Sequence, residues 1–98
     1  MWDLLSHAIN AEIASVKESR SARTKHVTVV VLNVGSDEGV KAGMELYVHA
    51  PSSIFEFARI TSVSNSSSEA EIIQDDEIEP KATRPAGGWK LSTRLLQD

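Results

Sequence analysis

The residues best placed to do chemistry in this chain lie in Gly35-Ser36-Asp37-Glu38-Gly39-Val40-Lys41-Ala42-Gly43, where three neighbouring oxygen-bearing side chains and a lysine sit among glycines. Such a run invites two readings, a phosphate cradle and a cation loop. A phosphate loop needs four residues between its glycines and then Gly-Lys-Ser/Thr, so that backbone amides and a lysine converge on one anion. Here Gly39 is followed by Val40-Lys41, and the Gly-x-Gly-x-x-Gly dinucleotide pattern is also absent. A calcium loop of the EF-hand type needs alternating ligands and a glutamate at its twelfth position, whereas Ser36, Asp37 and Glu38 are consecutive. What remains is a conformational role: Gly35, Gly39 and Gly43 supply positive φ or close chain approach, while Val40 and Met44 enter the core.

Other reactive groups are scattered. His7, His26 and His49 are the only imidazoles, and none has a second imidazole four residues away on one helix face, so surface or strand-edge positions are expected. No serine sits in a Gly-x-Ser-x-Gly elbow, and the absence of cysteine excludes disulfides, thiolate nucleophiles and cysteine-held metals. Asp75, Asp76, Glu77 and Glu79 read as a solvated acidic loop, and Lys17, Arg20, Arg23 and Lys25 as a basic stretch. The formal charge of -4, from 14 acidic and 10 basic residues, argues against general nucleic-acid binding. No metal, cofactor or catalytic constellation is indicated, so a non-enzymatic role is expected.

The 98 residues suit one small domain. Leu5, Ile9, Ile13 and Val16, spaced by four, four and three, predict an amphipathic helix over residues 1–20, followed by a polar linker over 21–24. Trp2, Leu5, Ile9, Ile13 and Val16 form the stripe by which such a helix would associate with another copy. From residue 25 to 98 the pattern changes to strands. The β-branched run Lys25–Asn33 predicts a strand buried on both faces, and Met44–Val48 alternates as a half-buried one. Runs at Phe55–Val63 and Glu69–Gln74, joined by Asn65-Ser66-Ser67, predict a hairpin, and Trp89–Leu95 a last strand. Five such strands predict a mainly β protein, a small barrel preceded by a helix. No run approaches the ~18 apolar residues of a membrane helix, and an export signal or anchor would lie outside this chain.

Val34-Gly35-Ser36-Asp37-Glu38-Gly39-Val40-Lys41-Ala42-Gly43-Met44, with Ala58–Ile73 following it, resembles the barrel module of the rod-shape MreC family and of the flagellar FlgT C-terminal family. The resemblance covers residues 27–73, with weaker support to Trp89-Lys90-Leu91. Two departures stand out: one barrel is present where the MreC family has a pair, and Ala58 replaces the glycine usual before the arginine of the third strand. The resemblance implies an extracytoplasmic, periplasmic or envelope-associated scaffold that holds bacterial proteins together.

The expected function is thus a protein-interaction module, self-associating through its helix, with Phe55 and Arg59 as a barrel-side contact. Phe55-Glu56-Phe57 places two aromatics on one strand face, which belongs to the core unless exposure marks it as a contact surface. The alternative is a binder of a small anion or carbohydrate in loops near Asp37, Lys41 and Arg59.

Overall fold

A computed structural model describes residues 8–50, 56–78 and 83–93. Six strands run through them: β1 (Asn10–Ala22), β2 (Lys25–Leu32), β3 (Glu45–Ala50), β4 (Phe57–Val63), β5 (Ser68–Asp75) and β6 (Lys90–Ser92). All pairings are antiparallel, and the order β1-β2-β5-β4-β3-β6 closes on itself as a barrel. Strands β3, β4 and β5 form a meander, and β6 returns beside β3, a Greek key.

The period of two explains which side chains fill the barrel. Ala11 and Ile13 of β1, Val30 and Leu32 of β2, Leu46 and Val48 of β3, Ala58 and Ile60 of β4, Ala70 and Ile72 of β5, and Leu91 of β6 all point inward and are buried. Alanines on β4 and β5 sit among the larger aliphatics, as the narrow interior of a small barrel requires. Val34, Val40 and Trp89 join the same cluster from the connections.

On β2 the outward set is also apolar: Val29 is buried, and Val27 and Val31 are half-buried. Two ion pairs reach over β2 from β1 to β5, Lys17 to Glu69 (2.7 Å) and Arg20 to Glu71 (3.7 Å). Their aliphatic stems shield apolar surface while the charged ends remain wet.

The expected helix is not formed where it can be seen. Residues 10–22 are strand β1, and residues 21–24 are the end of that strand and the Arg23-Thr24 turn rather than a linker. Trp2 and Leu5 lie outside the described residues. A spacing of four is a multiple of two, so Ile9 and Ile13 share a face in a strand as they would in a helix. Ile13 is buried in the barrel and Ile9 packs against it. The step of three to Val16 fits a strand only because the irregularity at Ala14 sets Val16 opposite Val30; there, beyond the reach of β6, it is exposed, at 41 %.

The glycine run folds as a single 3₁₀ turn, Ser36–Glu38, clipped to the tip of the β4–β5 hairpin. Ser36 N–H donates to Ser64 O and Asp37 N–H to Asn65 O, both at 2.9 Å. The chains approach so closely that a Cβ on Gly35 would lie 2.2 Å from Ser64 O and 2.6 Å from Ser67 N. Gly39 ends the turn at φ 93°, a left-handed conformation that glycine adopts without strain.

Two outcomes test this architecture. Ile13→Ala is expected to lower unfolding free energy by about 2–5 kcal/mol in urea melts, and Val16→Ala by under ~0.5 kcal/mol; equal losses would contradict a strand in which Ile13 is buried and Val16 exposed. Gly35→Ala is expected to cost about 1–3 kcal/mol or more by overpacking against backbone, while Gly87→Ala, whose added carbon would come no nearer than 3.5 Å to Ala14 O, leaves the melt unchanged.

Candidate functional site

Sequence reasoning placed a possible anion or carbohydrate site near Asp37, Lys41 and Arg59. The amides that an anion would need are already engaged. Gly35 N–H donates to Glu38 Oε1 (2.7 Å), Glu38 N–H and Val40 N–H to Gly35 O, and Gly39 N–H to Ser36 O. Arg59 lies on the outer wall of β4 and pairs with Glu45 at 3.1 Å rather than with Asp37. Asp37 and Lys41 are exposed on the connection between β2 and β3. The three residues therefore do not converge on a common pocket.

Among the described residues one ion pair joins the basic stretch to the acidic loop, and Arg84 engages the loop as well. Lys25 pairs with Asp75 (3.0 Å), and Arg84 donates to Asp76 Oδ1 (2.8 Å) and to Gln74 Oε1 (3.0 Å). Asp75 Oδ1 also accepts Glu77 N–H, forming an Asx turn that starts the loop. Glu79 lies outside the described residues. Gln74 is buried at one end of the barrel and donates to Glu56 Oε2 and Thr83 O, so a polar network seals that end. Among the described residues no three of His, Asp and Glu are grouped to hold a metal, and no helix is long and apolar enough to cross a membrane.

His26 comes closest to a catalytic arrangement. Its Nε2 lies 2.8 Å from Ser19 Oγ and its Nδ1 3.0 Å from Ser21 Oγ. A serine nucleophile requires a base whose other nitrogen is oriented by a carboxylate, and a pocket for the oxyanion. Here a second hydroxyl occupies the orienting position on the exposed face of a hairpin, so the three groups cross-link β1 to β2. His49 is half-buried at an irregularity of β3, and His7 is outside the described residues.

On the barrel wall, Ala58 and Ile60 of β4 point inward and Glu56, just before the strand, meets Gln74, so Phe57 turns outward and is 39 % exposed. The expectation that this aromatic face belongs to the core fails for Phe57, because a carboxylate that meets Gln74 takes the inward position instead. Phe57 and Ile73 line a shallow groove of about 150 Å³ with Arg59 and Glu71. Phe55 lies outside the described residues.

The feature sequence reasoning missed is the free side of β1. This strand has 13 residues, but β6 pairs only with Asn10, Ala11 and Glu12. Ile13 extends the contact by donating to Trp89 O and accepting from Gly88 N–H. From Ala14 to Ala22 every residue is exposed, and among the described residues none pairs with the side of β1 that faces away from β2. Two register shifts, at Ala14 and Lys17, bend the strand, and the regular edge is Glu18–Ala22, held against Lys25–Val29. Glu18 and Arg20 alternate on its outer face, joined at 2.9 Å. The hint in the sequence was Ser15, Ser19 and Ser21 at spacings divisible by two.

Comparison with protein-family models, with curated proteins and with solved structures found no match.

The Lys25–Asp75 pair yields a pH prediction. The hydrogen bond from Lys25, and then that from Glu77 N–H, hold the Asp75 carboxyl below the ordinary aspartate value of 3.8. A carboxyl depressed by folding stabilises fully above its unfolded value, and that contribution is lost as pH falls through the folded value. Carbon-detected NMR titration is expected to give Asp75 a midpoint below 3.8, and Lys25→Met to raise it. A wild-type midpoint at or above the ordinary value would contradict the pairing.

Proposed function

We propose that this chain is a non-enzymatic protein-interaction module that accepts an extended polypeptide segment as an added strand along β1. The observation that carries this reading is the edge Ala14–Ala22, exposed and, among the described residues, without a strand on its outer side, on an otherwise closed barrel. An edge presents a row of backbone N–H and C=O groups that another strand can satisfy, with side-chain contacts on alternate positions adding selectivity. Closure supports the assignment to this one edge, because the other strands spend both sides on neighbours over most of their length. The barrel then acts as a rigid scaffold for a strand that projects along its flank.

The small-ligand alternative draws less support, since the amides of the glycine turn and the Arg59 guanidinium already have partners within the chain. A bacterial envelope setting rests on the resemblance to the MreC and FlgT modules alone. Association through a helical stripe is replaced in this proposal by association through a strand edge, because Ile13 faces the core.

A displayed library of random ten-residue peptides, panned against the chain, tests the reading. Selected peptides are expected to perturb amide NMR signals along residues 15–22 and to leave those of β3 and β4 in place. Binders that map to the Phe57–Ile73 groove or to the loop holding Asp37 and Lys41, or a library that yields none against a chain that sedimentation shows to be monomeric, would remove its support.

A further inference from the structure

We infer that the segment that adds to β1 is β1 of a second copy, running antiparallel across a two-fold axis at Ser19. The inference rests on the strand-addition reading above and names its partner.

Residues directly opposite in an antiparallel pair share a face of the sheet. A two-fold axis perpendicular to the sheet therefore passes through a residue position, pairing residues equally far on either side of it. Within the regular edge Glu18–Ala22, the choice of centre decides the electrostatics. Centred on Ser19, Glu18 of each copy faces Arg20 of the other, giving two cross-strand pairs of opposite charge. Centred on Glu18 or on Arg20, identical charges face each other, which is destabilising. Centred on Ser21, Arg20 faces Ala22 and the opposite charges do not meet. The strand is thus self-complementary about Ser19, as an interface between identical copies must be.

The surrounding geometry agrees. Arg20 binds Glu18 Oε2 at 2.9 Å and reaches Glu71 at 3.7 Å, yet the side chains of Arg20 and Glu18 are both more than half exposed, which leaves each open to the other copy. On the opposite face Ser19 meets Ser19, two small side chains that their hydrogen bonds to His26 keep turned toward β2. Among the described residues the outer side of Ala14–Ala22 is the long uncovered edge of each barrel, so pairing consumes it on both copies and the assembly closes as a dimer rather than growing into a fibre.

The chain has no cysteine, which makes single-cysteine variants clean reporters. With the axis at Ser19, the two residues 19 lie about 4.5–5.5 Å apart between Cα atoms, inside disulfide range. The two residues 21 lie roughly 13 Å apart, outside it. Under mild oxidation of the full chain, S19C is expected to form a covalent dimer at least tenfold faster than S21C. In sedimentation equilibrium, E18R and R20E are each expected to weaken dimerisation at least tenfold, and E18R/R20E to restore it; circular dichroism verifies that these surface variants fold. A wild-type chain that stays monomeric at millimolar concentration, S19C that cross-links no faster than S21C, or a dimer indifferent to the charge swaps would overturn the inference. If it is overturned while displayed peptides still perturb residues 15–22, strand addition stands and only the second copy falls. If the peptides fail as well, both fall together.

Discussion

The structure depends on the closure of its sheet by β6. Three residues, Lys90–Ser92, sit between β1 and β3 and supply ladder bonds to both. Leu91 enters the core, Glu12 and Lys90 pair across the seam, and Thr93 fastens Ile9 through both its backbone and its hydroxyl. The Glu12–Lys90 and Ile9–Thr93 contacts join parts of the chain 78 or more positions apart. Loop-closure entropy grows only logarithmically with length, so the separation is tolerable once Leu91 and Trp89 are buried. Without β6, β1 and β3 would both become open edges. The free part of β1 is the remainder of the same arrangement: a closing strand of three residues cannot cover a neighbour of 13.

The outer surface follows from that mismatch. Exposed ion pairs contribute little each, typically under ~1 kcal/mol, so the rungs of charge along β1 and β5 do not hold the barrel together. Their effect is on shape and specificity. Lys17 and Arg20 reach over β2 and shelter its valines, which lets a strand with apolar residues on both faces remain in water. Arg20, with Glu18 two residues before it, also gives the edge of β1 neighbouring charges of opposite sign. At the far end of the hairpin, Lys25 and Asp75 fasten β2 to β5, and Arg84 ties the following loop back to Gln74 and Asp76. A composition with scattered acids and bases thus resolves into pairs set by register.

Much of the barrel was legible in the sequence. The β-branched run of β2, the alternation of β3 and the serine-rich turn between β4 and β5 each carry local chemistry that fixes a strand or a turn. The glycine run was legible as a turn, and its close approach to Ser64 explains why Gly35 has no side chain. The first strand was not legible. Its apolar residues are spaced by four, which suits both periods, and its exposed half lacks the apolar alternation that marks a strand with one face in a core. Tertiary pairing with β2, rather than local preference, makes residues 14–22 extended. The candidate interaction surface was hidden for the same reason: reading the segment as helix turns Glu18 and Arg20 into unrelated surface charges, and only a strand puts them on one face. Phe57 escaped because the inward position beside it is held by a glutamate whose partner, Gln74, lies on another strand.

The bulges at Ala14 and Lys17 also matter in time. Chain order places β1 and β2 ahead of the other strands, and β6 after all of them. During synthesis the first hairpin can pair as soon as it emerges, but the strand that seals its flank is made last. Throughout that interval β1 is an uncovered edge along its whole length, in a chain whose neighbours on the same messenger expose an identical one. Partly folded chains with unpaired edges are the species that aggregate. A strand kinked twice offers a nascent neighbour only short stretches of regular ladder, so the irregularities that limit the finished edge to a few residues also guard the unfinished one while the barrel waits for its final strand.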